Sequence, residues 1–244
     1  MIKDIPEMKI IAFGDCKYKR IALNWAKHLE KLNIKNYTVI SLDKKIFNFL
    51  TKHGINAELL ELDMFGGREN RSWWTLRFQV MYDKLLESNG IIHSDLDAVW
   101  LKNPEKFIDY KYDIISSSGN MPRRIYDELN LSLCMGWVFF KNNDKVKKIF
   151  KDILSSEKAF DDQVALNNYL MDQKISHKSD IGLDSEKIIF GNIKTRFLNQ
   201  NIISRHKPHT QNTYIDHPYI KTKNIKTRES ILKQKGLWID DGKS

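Results

Sequence analysis

Cysteine is scarce in this chain, and what there is shows no organisation. Of 244 residues only Cys16 and Cys134 are cysteines, without metal-ligand spacing, which excludes a disulfide framework and fits a reducing cytoplasm. Long apolar runs are missing as well; none approaches the ~20 residues that a membrane-spanning helix needs. The opening MIKDIPEMKIIAFG runs almost directly into a strand-like segment and lacks a signal peptide's apolar core and cleavage site, so a cytoplasmic location is expected. There are no internal repeats, low-complexity tracts or convincing linkers. A single domain over 1–244 is therefore the simplest expectation. The chain does have the makings of a core: 41% hydrophobic and 29% charged residues are ordinary for a globular protein and exclude disorder.

Negative charge is thin in one place. The formal net charge is +9, and between Gly191 and Lys235 ten Lys/Arg face only Asp216 and Glu229. That asymmetry points to an anionic partner (phosphates, nucleic acid or an acidic membrane surface), against the plainer reading of a solvated basic face.

The first half alternates strand and helix patterns. Lys9–Phe13 reads as a short buried strand, followed by a helix over Tyr18–Leu32 with Ile21, Trp25, Leu29 and Leu32 on one face. Tyr37–Leu42 reads as a strand, Lys44–His53 as a helix closed by Gly54, and Ala57–Leu62 as a third strand. After the loop FGGREN comes a helix over Trp73–Glu87, with Leu76, Val80 (or Met81) and Leu85 inward, and then a strand from Ile91 to Ser94. The rhythm predicts an α/β protein with an open, mainly parallel central sheet and helices on both faces. The second half is less regular, with strands over Asp113–Ser117 and Cys134–Lys141 and helices over Asp144–Leu154, Asp162–Met171 and Thr227–Lys235. Asn199–Tyr219 is polar and aperiodic, which suits a mobile or ligand-ordered segment.

Within IIHSDLDAVWL, Asp95 and Asp97 stand at the end of an otherwise apolar strand. Buried carboxylates need a counter-ion, a hydrogen-bond cage or a wet cleft. On a strand, residues two apart point to the same side, roughly 6–7 Å apart at ~3.3 Å rise per residue. Two such carboxylates suit a hard divalent cation, Mg²⁺ or Mn²⁺, beside a diphosphate. Beyond the carboxyl ends of such strands is also where ligands gather. The bland reading is a turn whose aspartates bond backbone. An aspartyl-phosphate site is rejected, because it would follow the first strand and carry a nearby Ser or Thr, whereas Ala98 and Val99 follow here.

Four blocks, HSDLDAVWLKNP, CMGWVFFK, DDQVALN and DHPYIKTKNIKTRESILKQKGLW, occur in this order. In them the chain resembles the nucleotide-diphospho-sugar transferases of GT-A fold, the group similar to plant rhamnogalacturonan xylosyltransferases and their bacterial relatives. The resemblance implies a metal-dependent glycosyltransferase that uses a sugar nucleotide and retains anomeric configuration. It also implies a nucleotide-binding half over 1–118 and an acceptor and sugar half over 119–244 with a basic C-terminal lid. It places Asp95 and Asp97 as the DxD pair and His217 as a third metal ligand. Arg77 would pair with the phosphates or the DxD, and Asp162 and Gln163 would lie near sugar and acceptor. Gly136 matches a block glycine; the asparagine of that block is Cys134 here. Lys221, Lys223 and Lys226 are all candidates for a phosphate-binding lysine. Phe13, Gly14 and Asp15 end the first strand, where a nucleobase or ribose docks or an ordinary turn sits. Trp73 and Trp74 read as core or cleft wall.

The expected partners are a sugar-nucleotide donor and a glycan or lipid-linked acceptor of polysaccharide or lipopolysaccharide type, with peripheral contact to an anionic membrane face. A zinc site at His206, His209 and His217 lacks nearby cysteine or carboxylate ligands in the sequence. A non-catalytic sugar-nucleotide-binding protein is the runner-up. A basic nucleic-acid-binding protein leaves the DxD block unexplained.

Overall fold

The computed structural model describes residues 8–60, 73–155, 161–180, 185–222 and 224–239. The FGGREN loop and Lys223 lie outside them. The first half follows the expected rhythm: β1 (Lys9–Gly14), α1 (Lys19–Lys31), β2 (Tyr37–Ser41), α2 (Lys44–Lys52), β3 (Ala57–Leu59), α3 (Trp73–Leu86) and β4 (Gly90–Ser94). Helix α1 forms where Ile21, Trp25 and Leu29 recur every fourth residue and are fully buried. Helix α2 starts at Asp43, whose carboxylate accepts from the Lys45 and Ile46 amides, and stops before Gly54 at φ +74°. In α3 the inward face is Phe78, Val80, Met81 and Leu85; Leu76, expected inward, is only half-buried.

The remaining elements are β5 (Val99–Trp100), β6 (Ile114–Gly119), α4 (Arg123–Leu129), β7 (Ser132–Lys141), α5 (Asp144–Leu154), α6 (Asp162–Asp172), β8 (Ile175–Asp180), β9 (Ser185–Phe190), β10 (Ile193–Leu198), β11 (Ile203–Ser204), β12 (Ile215–Asp216) and α7 (Ile225–Gln234). Nine strands form one sheet in the order β3-β2-β1-β4-β7-β6-β10-β9-β8. It is mixed: β3, β2, β1 and β4 run parallel, β7 is antiparallel to both neighbours, and β6 and β10 pair in parallel.

Alternation along the strands feeds two cores. Ile10, Ile92, Trp137 and Phe139 face one core with α1 and α2, while Ile11, Ile91, Val138 and Phe140 face the other with α3, α5 and α6. Strand β7 is buried along nine of its ten residues, as a central strand covered on both faces should be.

The segment 199–219 is not the aperiodic stretch the sequence led us to expect. It supplies β11 and β12 to a second, three-stranded sheet, β11-β12-β5, in which Ile215 pairs with Trp100 and Asp216 with Val99. The basic tail is likewise docked: Leu232 of α7 and the following Leu237 are fully buried in the first core.

Candidate active site

The site is built where β4 ends. Asp95 and Asp97 do not extend the strand; they sit in a turn closed by a hydrogen bond from the Ala98 amide to the Asp95 carbonyl at 3.0 Å. The Asp95 amide donates to the Gly136 carbonyl of β7 at 2.9 Å, tying the turn to the sheet. Leu96, between the two acids, drops its side chain into the core against Gly14, where an added Cβ would lie 2.8 Å from Leu96 Cδ1. The turn thus faces both carboxylates outward while their intervening residue anchors it.

His217 reaches this turn from the tail. Its main-chain amide donates to the Ser204 carbonyl at 2.7 Å, and β12 just before it is held by β5, the strand that follows the turn. The imidazole Nε2 lies 3.6 Å from Asp95 Oδ2 and 3.5 Å from Asp97 Oδ1. One ligand atom from each of Asp95, Asp97 and His217 falls within 4.8 Å of the others. Two carboxylates and an imidazole are a donor set for a divalent cation, and these residues fit one. The ring stands directly over Gly136, where an added Cβ would come within 2.0 Å of His217 Cε1. Gly136 is therefore a seat for the histidine.

Arginines surround the three ligands. Arg77 of α3 is buried and donates to Asp162 through Nε at 2.6 Å and Nη2 at 2.8 Å, and to Asp95 through Nη1 at 3.3 Å. Its guanidinium also lies 4.6 Å from the centroid of the Trp74 ring, a wall residue. Arg205 Nη1 lies 2.7 Å from His217 Nδ1 and donates to Cys134 Sγ at 3.3 Å. Arg228 Nη1 donates to Asp97 Oδ2. Burial works against ionising Asp95, but the charges of Arg77, His217 and Arg205 hold it well below the usual carboxylate range. Burial and Arg205 disfavour the His217 cation, yet Asp97 and Cys134 outweigh them and raise it to about 9. Burial would push the Cys134 thiol up, but Arg205 and His217 bring it down to about 7. His93, lowered to about 4 by burial and Arg77, is neutral, and its Nδ1 donates to the Met135 carbonyl at 2.6 Å.

The main cavity beside this cluster, about 530 Å³, is bounded by Phe13, Gly14, Asp15, Tyr18, the DxD turn, the tail segment from His217 to Ile220, and Arg228. A smaller one of about 230 Å³ shares Trp74, Arg77, Asp95 and Arg205 with it and adds Cys134, Gly136, Asp162 and Gln163. The main cavity opens beyond the carboxyl ends of β1 and β4, and the smaller one beyond that of β4.

The expected residues are thus largely brought together. Asp15 lines the main cavity while its carboxylate accepts from the Lys17 and Tyr18 amides at 3.0 and 3.3 Å. Phe13 packs edge-on to Trp73. Gln163 spends its amide on the scaffold, accepting from the Met135 amide at 3.0 Å and donating to the Met121 carbonyl at 2.8 Å. Asp161 caps α6, and Asp162 carries the Arg77 pair. The tail lysines are another matter: Lys221 and Lys226 are exposed and neither borders the cavities. Among the described residues the tail histidines do not converge on a zinc site. His209 bonds Asp216 at 2.7 Å and His206 packs on Tyr219 with centroids 5.2 Å apart. Arg205 and Arg228 were not anticipated. Both are lone cations in a basic stretch, and nothing in their spacing marks them.

The model of the nucleotide-diphospho-sugar transferases matches residues 32–229, most of the chain, including Asp95, Asp97, His217 and the arginines around them. The chain belongs to that family. A curated relative, the arabinosyltransferase XEG113 of Arabidopsis thaliana, is 26% identical over 182 residues, 67% of this chain and 28% of the relative, so the chain spans little more than a quarter of that protein. Among solved structures, the galactosyltransferase LgtC superposes with a TM-score of 0.56 at 11% identity, covering 96% of this chain and 98% of the other. A glycosyltransferase involved in glycosylating the major capsid of PBCV-1 gives 0.51 at 12%, covering 94% and 100%. Mouse xyloside xylosyltransferase 1 gives 0.51 at 8%, covering 82% and 88%. At such identities the chain shares their fold, and the expected GT-A class stands.

Proposed function

We propose that the protein transfers a sugar from a nucleoside-diphosphate donor to a glycan or lipid-linked acceptor, with retention of anomeric configuration, using Mn²⁺ or Mg²⁺. The observation that carries this reading is the meeting of Asp95, Asp97 and His217 at the edge of a cavity large enough for a nucleotide. A divalent ion held by these three would act as a Lewis acid toward the departing diphosphate, worth several kcal/mol. The chain's own residues do the rest. The end of β1 (Phe13, Gly14 and Asp15) offers an edge for base or ribose. The smaller cavity takes the transferred sugar, with Arg77 presenting its cation at the joint between the two cavities. Asp162 holds that arginine in a two-pronged ion pair and keeps negative charge beside the sugar. Gln163 fixes the cavity floor by clamping β7 to the segment before α4.

No helix among the described residues is long and apolar enough to cross a membrane. Contact with an anionic membrane rests on the charge of the tail, and binding to anionic vesicles tests it. The central test is transfer, or slow hydrolysis, across a panel of sugar nucleotides with Mn²⁺, Mg²⁺ and chelator. Product configuration by NMR reports retention. Undiminished turnover in chelator by a chain carrying Asp95→Asn and Asp97→Asn would refute the reading.

A further inference from the structure

The tail cation that contacts the DxD pair through Asp97 is an arginine. Arg228, in the first turns of α7, is held by donating from Nε to the Thr222 carbonyl at 2.9 Å and from Nη2 to the Ile220 carbonyl at 3.4 Å, and its Nη1 bonds Asp97 Oδ2. The other oxygen of that carboxylate, Oδ1, is the one 3.5 Å from His217 Nε2. Asp97 is thus divided, one oxygen turned to the ligand cluster and one to the guanidinium. The guanidinium borders the main cavity, whereas Lys226, two residues earlier, is exposed and away from it.

Charge balance in that cavity points the same way. Its lining includes three aspartates, Asp15, Asp95 and Asp97, against three arginines, Arg77, Arg205 and Arg228. Asp162 also neutralises Arg77 from outside that lining, so the acids outnumber the arginines by one, and a divalent cation leaves a net positive charge that favours an anionic diphosphate. The three arginines are not equally free to meet it. Arg77 is committed to Asp162 and Asp95, and Arg205 to His217 and Cys134. Arg228 uses three of its five N–H donors among the described residues, two of them on neutral carbonyls that orient it without cancelling its charge.

We propose that Arg228 is the residue that grips the donor's diphosphate, and that its shared hold on Asp97 couples metal binding to donor binding. This rests on the donor reading above. Without diphosphate, the Arg228 charge draws on Asp97 and opposes a second cation at the same carboxylate. A diphosphate drawn to the guanidinium relieves that opposition, so each ligand strengthens the other by the same factor.

The test is calorimetry with Mn²⁺ alone, and with uridine, guanosine, cytidine and thymidine diphosphates in the presence and absence of Mn²⁺. For Arg228→Met we expect nucleoside-diphosphate affinity to fall at least tenfold, Mn²⁺ affinity alone to hold or rise, and the coupling between the two to weaken. Arg228→Lys, which keeps charge but loses the fork, should lose less affinity while staying folded by thermal melt. A role confined to holding Asp97 in place would weaken Mn²⁺ and nucleotide together, and that result overturns the proposal. So does nucleotide affinity lost in Lys226→Met and kept in Arg228→Met. Failure of the unaltered chain to bind any nucleoside diphosphate would instead sink the donor reading, and this inference with it.

Discussion

The two sides of the Asp95–Asp97–His217 corner are built on opposite plans. The DxD side is local: one turn, closed on itself and tied to β7, with Leu96 as its anchor in the core. The tail side is assembled from separate places. Arg205 follows β11, His217 follows β12, and Arg228 rides on α7, each positioned by a short ladder or a capped helix. The dependence between them runs one way, because β12 leans on β5 and the tail's Leu237 packs among residues of the first half. A local turn specifies itself. A composite wall needs a finished scaffold.

Mutations can break that contrast. The largest effect should come from the local side: Asp97→Asn removes a ligand charge and the partner of Arg228, and kcat/KM for transfer should fall about 10³-fold, as expected for several kcal/mol of lost electrostatic help. Retention of activity within tenfold would show that the turn is dispensable. Next comes Arg77→Met, which strands the buried Asp162 carboxylate; denaturant melts should show a loss of about 3–5 kcal/mol. A near-neutral result would mean that Asp162 finds another partner. On the composite side, Gly136→Ala forces the His217 ring off its seat, and Mn²⁺ affinity should drop roughly 10–100-fold, read by titration. Equal affinity in that variant would deny the imidazole any part in holding the ion.

Smaller effects measure how firmly the tail is docked. Asn24 of α1 donates to the Leu237 carbonyl at 3.0 Å and accepts from the Ile239 amide at 2.8 Å. Asn24→Ala should cost ~1–3 kcal/mol and raise hydrogen exchange in α7 selectively. Uniform exchange across the molecule would show that the tail does not open by itself. Asn224→Ala, removing the α7 cap to the Thr227 amide, should cost about 1 kcal/mol by the same melts, the least of the series.

The same contrast explains what could be read beforehand. The βαβ rhythm was legible because amphipathic spacing recorded it, as in Ile21, Trp25 and Leu29, and so was the carboxylate pair, which stood out in an apolar run. Even there the local geometry escaped. The acids were expected along an extended strand, whereas the chain turns at Asp95, a choice made by Leu96 packing against Gly14. Strands β5, β11 and β12 are two residues each, too short for any period to register, so 199–219 looked structureless. Choosing Arg228 among ten tail cations needs the Thr222 and Ile220 carbonyls that aim it, and those are known only once the chain has folded.

The two-residue ladder before His217 also has a meaning for divergence. Between Arg205 and Thr213 the chain makes an excursion whose neck is pinned by the Tyr214 amide on the Ile202 carbonyl at 2.8 Å and the His217 amide on the Ser204 carbonyl at 2.7 Å. Residues can be gained or lost in that excursion while the imidazole keeps its address, but an insertion between Asp216 and His217 would displace it. Descendants of this scaffold are therefore free to rewrite the outer arc and bound to keep its clasp.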